Sequence, residues 1–336
     1  MKDSSLLTTV AWLVRDTFRQ SVAQGLFAVL MIVNLLSIAV CLSLGVHGRS
    51  TLAQGDENPD FLSRRDVDAT DTEKLDSSGV IVADGNLTLA FGAIQVPLAR
   101  DTRSAIHFFE LILAGAVADT LGLLLTLIWT AGFLPSFLEG RHLCVLLAKP
   151  APRWALLWGK YLGVLAFVLF NSVIFVGGTW KAIGLRTGFW DPTYLLSIPL
   201  LLLHFSIFYG FSVLLAVCTP NAVVCVLGSI VFWGVAWSMN FSRQILLTST
   251  DLAAESLRAS SLSGLIEWGY WVLPKPADLG VLLFHALDAG DHFGKSLDLN
   301  ALEAHGFSMT LSVLSSLAFA ALVLWISTRK FQATDY

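Results

Sequence analysis

The chain has 336 residues, 55% of them hydrophobic and only 14% charged, with a mean hydropathy of +0.70; soluble domains average about 25% charged residues. A soluble fold of this length would form about two domains, whereas so apolar a chain is better counted in membrane spans. The net charge of -4 gives no basic footprint for nucleic acid, and Cys41, Cys144, Cys218 and Cys225 fall in or beside apolar runs, with neither a disulfide framework nor paired zinc-site spacing.

In chain order, residues 1–21 predict an amphipathic helix lying in the inner membrane interface, because Leu7, Val10, Val14 and Phe18 recur at helical spacing while Ser4, Thr8, Arg15 and Arg19 lie mostly off that stripe. A spanning helix needs about 20 mostly apolar residues. Six stretches qualify, at 22–45, 109–134, 161–180, 194–217, 222–240 and 308–327. The first is too long and begins too late for a cleaved signal peptide. Between the first two spans, 46–108 forms a loop that starts polar and acidic and then becomes β-prone from Val80 to Phe91, with Asp84-Gly85 as a hairpin signal. Residues 241–307 form a second long loop, helix-prone from Leu252 to Leu287, and 328–336 form a short tail. The expected fold is therefore an all-α polytopic membrane protein of six transmembrane helices, with the interfacial N-terminal helix and a small extracytoplasmic β element.

Six spans put both termini on one face. If that face is cytoplasmic, the inner segments carry nine lysines and arginines against four acids, and the outer segments twelve against nineteen. This is the positive-inside pattern, and it places the chain in the inner (plasma) membrane with both termini cytoplasmic. Trp12, Trp154, Trp158 and Trp325 then fall near the inner interface and Trp180, Trp190 and Trp237 near the outer one, as an aromatic belt requires.

The inner loop 135–160 carries the most information. Phe137, Leu138, Leu143, Val145 and Leu146, bounded by Pro135 and Pro150, form an apolar patch ringed by basic residues, which a cytoplasmic loop exposes only where something docks. Its residues Glu139 and Gly140, then Leu146-Leu147-Ala-Lys149-Pro150-Ala-Pro-Arg153, then Gly159-Lys160-Tyr161, resemble the corresponding loop of permease subunits of ABC-2 type ABC transporters. The layout is similar too, including the four-residue inner loop Cys218 to Asn221. The resemblance implies a membrane subunit that pairs with itself or with a second permease, embedded in the lipid bilayer and gripped at its cytoplasmic face by a separate ABC ATPase subunit. It assigns ATPase coupling to Glu139, Gly140, Arg141, Lys149, Pro150, Arg153 and Lys160. ATP and magnesium would then belong to the ATPase chain, with no cofactor, no metal and no enzymatic activity in this one. The alternatives are an ABC-like scaffold that couples a cytoplasmic ATPase to an extracytoplasmic partner without transport, and an integral-membrane enzyme, for which no cluster of catalytic groups is written.

Gly290 to Ser296 imitates a phosphate-binding loop but has only three residues between its glycines. His285, Asp288, Asp291, His292 and His305 cluster in sequence without the spacing of a standard metal site, and only four methionines argue against copper. Asn86 and Asn240 head glycosylation sequons without other signs of a secretory setting. Charges within spans are costly and suggest function by default. Asp119 lies about 13 Å deeper than Glu110 at 1.5 Å per residue. With His204 and Asn171 at comparable depth, Asp119 is expected to face the bundle interior and pair with His204 or a hydroxyl, as structural glue or as the lining of a substrate path. Gly115, Gly122, Gly177, Gly178 and Gly228 are read as points of close helix approach.

Overall fold

A computed structural model describes residues 3–48, 85–89, 94–98, 102–138, 152–248, 262–287 and 308–334. Among these, five helices are long and apolar enough to cross a membrane: Ala105–Leu138, Arg153–Thr187, Pro192–Cys218, Ala222–Leu247 and Met309–Ala333. The chain thus has the architecture of a multi-pass helical membrane protein. Its first two helices, α1 (Asp3–Ala23) and α2 (Leu26–Leu42), meet the same criterion only as a pair, bent by 77°. The bend sits at Gly25, whose φ of 73° is a left-handed conformation that a side chain would strain.

Three strands follow or flank α2: β1 (Gly45–Gly48), β2 (Gly85–Leu89) and β3 (Ile94–Leu98). They form an antiparallel sheet in the order β1-β2-β3, with Val46 opposite Leu87 and Leu87 opposite Val96. The Asp84-Gly85 turn signal is not the hairpin connection. Gly85 is already paired with Gly48 and Leu98, and the β2–β3 link runs through 90–93. An Asp-Gly pair makes a hairpin only when both its flanks pair with each other, and here the downstream flank pairs onward with β3. Pro97 lacks an amide hydrogen and lies on the outer strand of the three, where that loss is tolerated.

The second apolar stretch is one long rod of changing pitch: α3 (Thr102–Leu111), a π-helical segment (Ile112–Gly122), α4 (Leu123–Thr130) and α5 (Phe133–Leu138). Pro135 is accommodated because it lies in the first turn of α5, where no amide hydrogen is needed. Then come α6 (Arg153–Thr187), a 3-10 turn (Pro192–Leu196), α7 (Ser197–Cys218), α8 (Ala222–Thr248), α9 (Leu262–Val272), α10 (Pro276–Ala286) and α11 (Met309–Ala333). At 35 residues α6 outruns its apolar window at both ends. Nothing interrupts it between Pro152, in an extended conformation, and Gly188 at φ 74°.

Two large apolar clusters hold these helices, with a small third at Ile207, Leu279 and Ala320. One joins Leu13, Leu26, Phe137, Leu156, Phe167 and Phe208; the other joins Cys41, Leu44, Phe109, Ile183, Tyr194 and Leu287. The remaining faces carry large bare side chains: Ile32, Leu36, Leu121, Val231 and Leu314 are each 63–65% exposed. In water that would be an association hazard; against lipid it carries no such cost. Of the glycines read as close-approach points, Gly178 lies under Ile38 and Gly228 under Leu215, but Gly115 and Gly177 face open space and Gly122 meets only its own helix. Small residues in an apolar run are needed for contact only on the face a neighbour covers, and sequence does not mark that face.

Buried Asp278 knots four helices. Its Oδ1 accepts from Asn240 Nδ2 (2.9 Å) and Gln244 Nε2 (3.0 Å), and its Oδ2 from the Tyr270 hydroxyl (2.8 Å) and Ser312 Oγ (2.7 Å). Lys275, fully buried, hydrogen-bonds Ser315 and lies 4.6 Å from the Tyr270 ring centre. Burial lowers the Lys275 pKa, and the nearby Asp278 charge opposes that shift. Removing a buried, fully partnered charge strands its donors, so D278A is expected to cost about 3–5 kcal/mol and S312A about 1 kcal/mol, read as thermal unfolding midpoints in detergent. Burial, and then the Asp278 charge, push the Tyr270 phenol up to about 12. The stability this supplies is full below the ordinary phenol value and is lost as pH rises through about 12. In D278N the Tyr270 titration, taken as the tyrosinate absorbance difference from Y270F, is expected to move back toward the ordinary value.

Candidate functional site

The polar groups read as intramembrane sort into one pair and one bystander. Asp119, in the π-helical segment, and His204, in the second turn of α7, are both buried, and His204 Nδ1 lies 2.6 Å from Asp119 Oδ1. The contact joins the ring and the carboxylate directly, one donating and the other accepting. His204 Nε2 is then left buried with no hydrogen-bond partner among the described residues. π-helical turns are rare and often sit at functional sites; in this segment Asp119 faces α7. Asn171 takes no part, since its Nδ2 donates to the Phe167 carbonyl of its own helix at 2.9 Å. An apolar groove of about 390 Å³ runs between Ile112, Gly115 and Ala116 of the π segment and Gly280 and Leu283 of α10, and includes neither Asp119 nor His204.

The coupling-loop residues Glu139, Gly140, Arg141, Lys149 and Pro150 lie outside the described residues. The two stems of that loop are described, and α1 lies across them. Gly163 faces α1 so closely that a Cβ there would stand 2.6 Å from Thr17 Oγ1, and Gly159 is covered by Leu13. Two glycines four apart on α6 therefore let α1 lie directly on its backbone, the small-residue mode of helix contact in membranes. Lys160, between them, is 1% exposed and donates to Asp16 Oδ2 (3.0 Å) and Gln20 Oε1 (2.8 Å). Gln20 Nε2 in turn donates to Ser136 Oγ at 2.8 Å, and the Lys160 ammonium lies 5.4 Å from the Phe137 ring centre. Lys160 is thus turned onto α1 and α5. Arg153, half-buried, donates from Nη1 to the Thr334 carbonyl at 2.9 Å, tying the start of α6 to the end of α11. Tyr161 donates to the Ser206 carbonyl of α7 at 2.9 Å.

The expected apolar stripe of α1 is not its packed face. Leu13, Thr17 and Ser21 are fully buried, whereas Val10, Val14 and Phe18 are half-buried, with Phe18 edge-on to Phe167 at 5.4 Å. Glycines on α6 admit Thr17 and the Asp16–Lys160 pair favours that side, so small and polar residues face the bundle.

Two polar groupings escape a reading by spacing. One is the Asp278 knot. The other is His107, Glu110 and Asp191, all buried, whose ligand-type atoms lie within 4.8 Å of one another. The only local signal was the His-x-x-Glu spacing of one helical turn. Of the histidine and acid cluster noted in the last loop, only His285 falls among the described residues. Comparison with known proteins finds no family model and no curated sequence that matches the chain.

If the Asp119–His204 pair serves as glue, D119A strands a buried imidazole, while D119L combined with H204F removes both polar groups. The single variant is then expected to lower the thermal midpoint by the equivalent of about 3–5 kcal/mol and the double variant by much less, measured on detergent-purified protein.

Proposed function

We propose that the chain is the membrane-spanning permease subunit of an ABC transporter, moving a substrate, as an exporter, when a separate ATPase subunit hydrolyses ATP. In this reading α2, entered from the interfacial α1 through the bend at Gly25, supplies the first of six spans, both termini are cytoplasmic, and the β sheet and the corner at Asp191 face outward. The chain dimerises or pairs with a second permease in the plasma membrane.

The observation that carries the reading is the junction at the stems of the 139–152 loop. Lys160, Asp16, Gln20 and Ser136 link α6, α1 and α5 by hydrogen bonds. Arg153 adds α11 through Thr334. A load on the loop would therefore reach four helices within a few side chains. ATP binding can switch a membrane subunit only through contacts that differ between its two states, and such a junction is where they would act. The resemblance of the loop sequence from Glu139 to Arg153 supports the same assignment. The tested alternative is a scaffold that uses the same grip to act on an extracytoplasmic partner without transport.

A tagged full-length chain is expected to copurify with an ATP-hydrolysing subunit, and E139A and R153A to lower the recovered ATPase about tenfold, corresponding to about 1.4 kcal/mol of lost binding. Recovery of no ATPase, with both variants indistinguishable from wild type, would overturn the proposal. ATPase coupling without substrate movement in reconstituted vesicles would favour the scaffold.

A further inference from the structure

His107 and Glu110 stand one turn apart on α3, and Asp191 caps the 3-10 turn at the corner after α6. They are 5%, 2% and 7% exposed. His107 Nδ1 lies 3.4 Å from Glu110 Oε2 and 3.4 Å from Asp191 Oδ2. These distances are long for charge-assisted hydrogen bonds, which close to about 2.7–2.9 Å. They match the edges of a tetrahedron of donors around one ion: bonds of about 2.0–2.1 Å place neighbouring ligands about 3.4 Å apart.

The second observation is Glu110 itself. Neither of its carboxylate oxygens has a hydrogen-bond partner among the described residues, and its contact is the 3.4 Å approach to His107. A buried carboxylate without donors is costly unless a cation or a proton neutralises it, and among the described residues no lysine or arginine is paired with either acid. Asp191 is oriented, since its oxygens accept from Thr193 N (2.9 Å) and Thr193 Oγ1 (2.6 Å) and its carbonyl accepts from Trp180 Nε1 (2.7 Å). Such outer contacts are what hold a ligating carboxylate in place. Phe189 stands edge-on to the His107 ring at 5.1 Å.

We propose that His107, Glu110 and Asp191 bind a first-row divalent cation, with zinc the best fit to one nitrogen and two oxygens and a water completing the fourth position. Calcium fits poorly, since it takes about six to eight oxygen ligands at about 2.3–2.6 Å. The ion would staple the C-terminal half of α3 to the α6–α7 corner, segments 81 residues apart in sequence between Glu110 and Asp191. This assignment does not depend on the permease reading.

The test uses the full chain purified in detergent, equilibrated with Zn2+, passed through a desalting column and measured by inductively coupled plasma mass spectrometry. Wild type is expected to retain about one equivalent and the isosteric E110Q to bind at least about tenfold more weakly. E267Q, which alters an exposed acid paired with Arg243, should bind as wild type does. A chelator should lower the thermal midpoint of wild type and E267Q but not of E110Q. Co2+ in place of Zn2+ should give tetrahedral visible absorption in wild type, which serves if E110Q does not fold. Wild type that retains no Zn2+ above background, or E110Q that retains as much as wild type, overturns the proposal.

Discussion

In a bundle whose outer faces are hydrocarbon, a charged side chain persists only where another group compensates it. Three of the charges buried among these helices meet that constraint through partners on a different element. Asp119 in the π segment meets His204 on α7. Lys160 on α6 meets Asp16 and Gln20 on α1. Asp278 on α10 meets donors from α8, α9 and α11. Apolar contact alone lets helices slide or exchange neighbours in lipid, because lipid tails are as apolar as leucine. The polar pairs forbid most such exchanges, so they specify which helix stands beside which.

Close backbone approach does the rest. Gly159 and Gly163 let α1 lie on α6, and the left-handed turn at Gly25 then sends the chain away at 77° into α2. Leu13 and Thr17 fill the space a side chain on either glycine of α6 would take. The polar pair at Lys160 and the small residues flanking it are thus two halves of one contact: neither an apolar nor an ionic interface alone would position α1.

Much of the architecture was legible because lipid imposes a length and a polarity that hydropathy reads directly, and each of the last five apolar windows falls, to within one residue, inside a long apolar helix. The Asp119–His204 pair was legible for a similar reason: two polar groups at one depth in apolar surroundings have few other partners. The π segment was not, since Ile112 to Gly122 has the composition of any apolar helix and the wider turn comes from tertiary context. Nor was the packed face of α1, because a small polar line at Leu13, Thr17 and Ser21 competes with the more apolar stripe and wins only through glycines some 150 residues away. Asp191 falls between two apolar windows, at 161–180 and 194–217. Its place beside Glu110 depends on where α6 ends, which Gly188 decides and hydropathy overestimates or underestimates by a turn or two.

That ending has a mechanical meaning. An unbroken 35-residue helix is about 50 Å long at 1.5 Å per residue, against a hydrocarbon layer of about 30 Å, so α6 reaches beyond the layer. It is tied near one end to α11 and α1 through Arg153 and Lys160, and near the other to the segment after α2 through Arg186, whose Nε donates to the Leu44 carbonyl, so one stiff rod joins the two ends. It can tilt or slide, but it cannot absorb a displacement at one end without delivering it to the other.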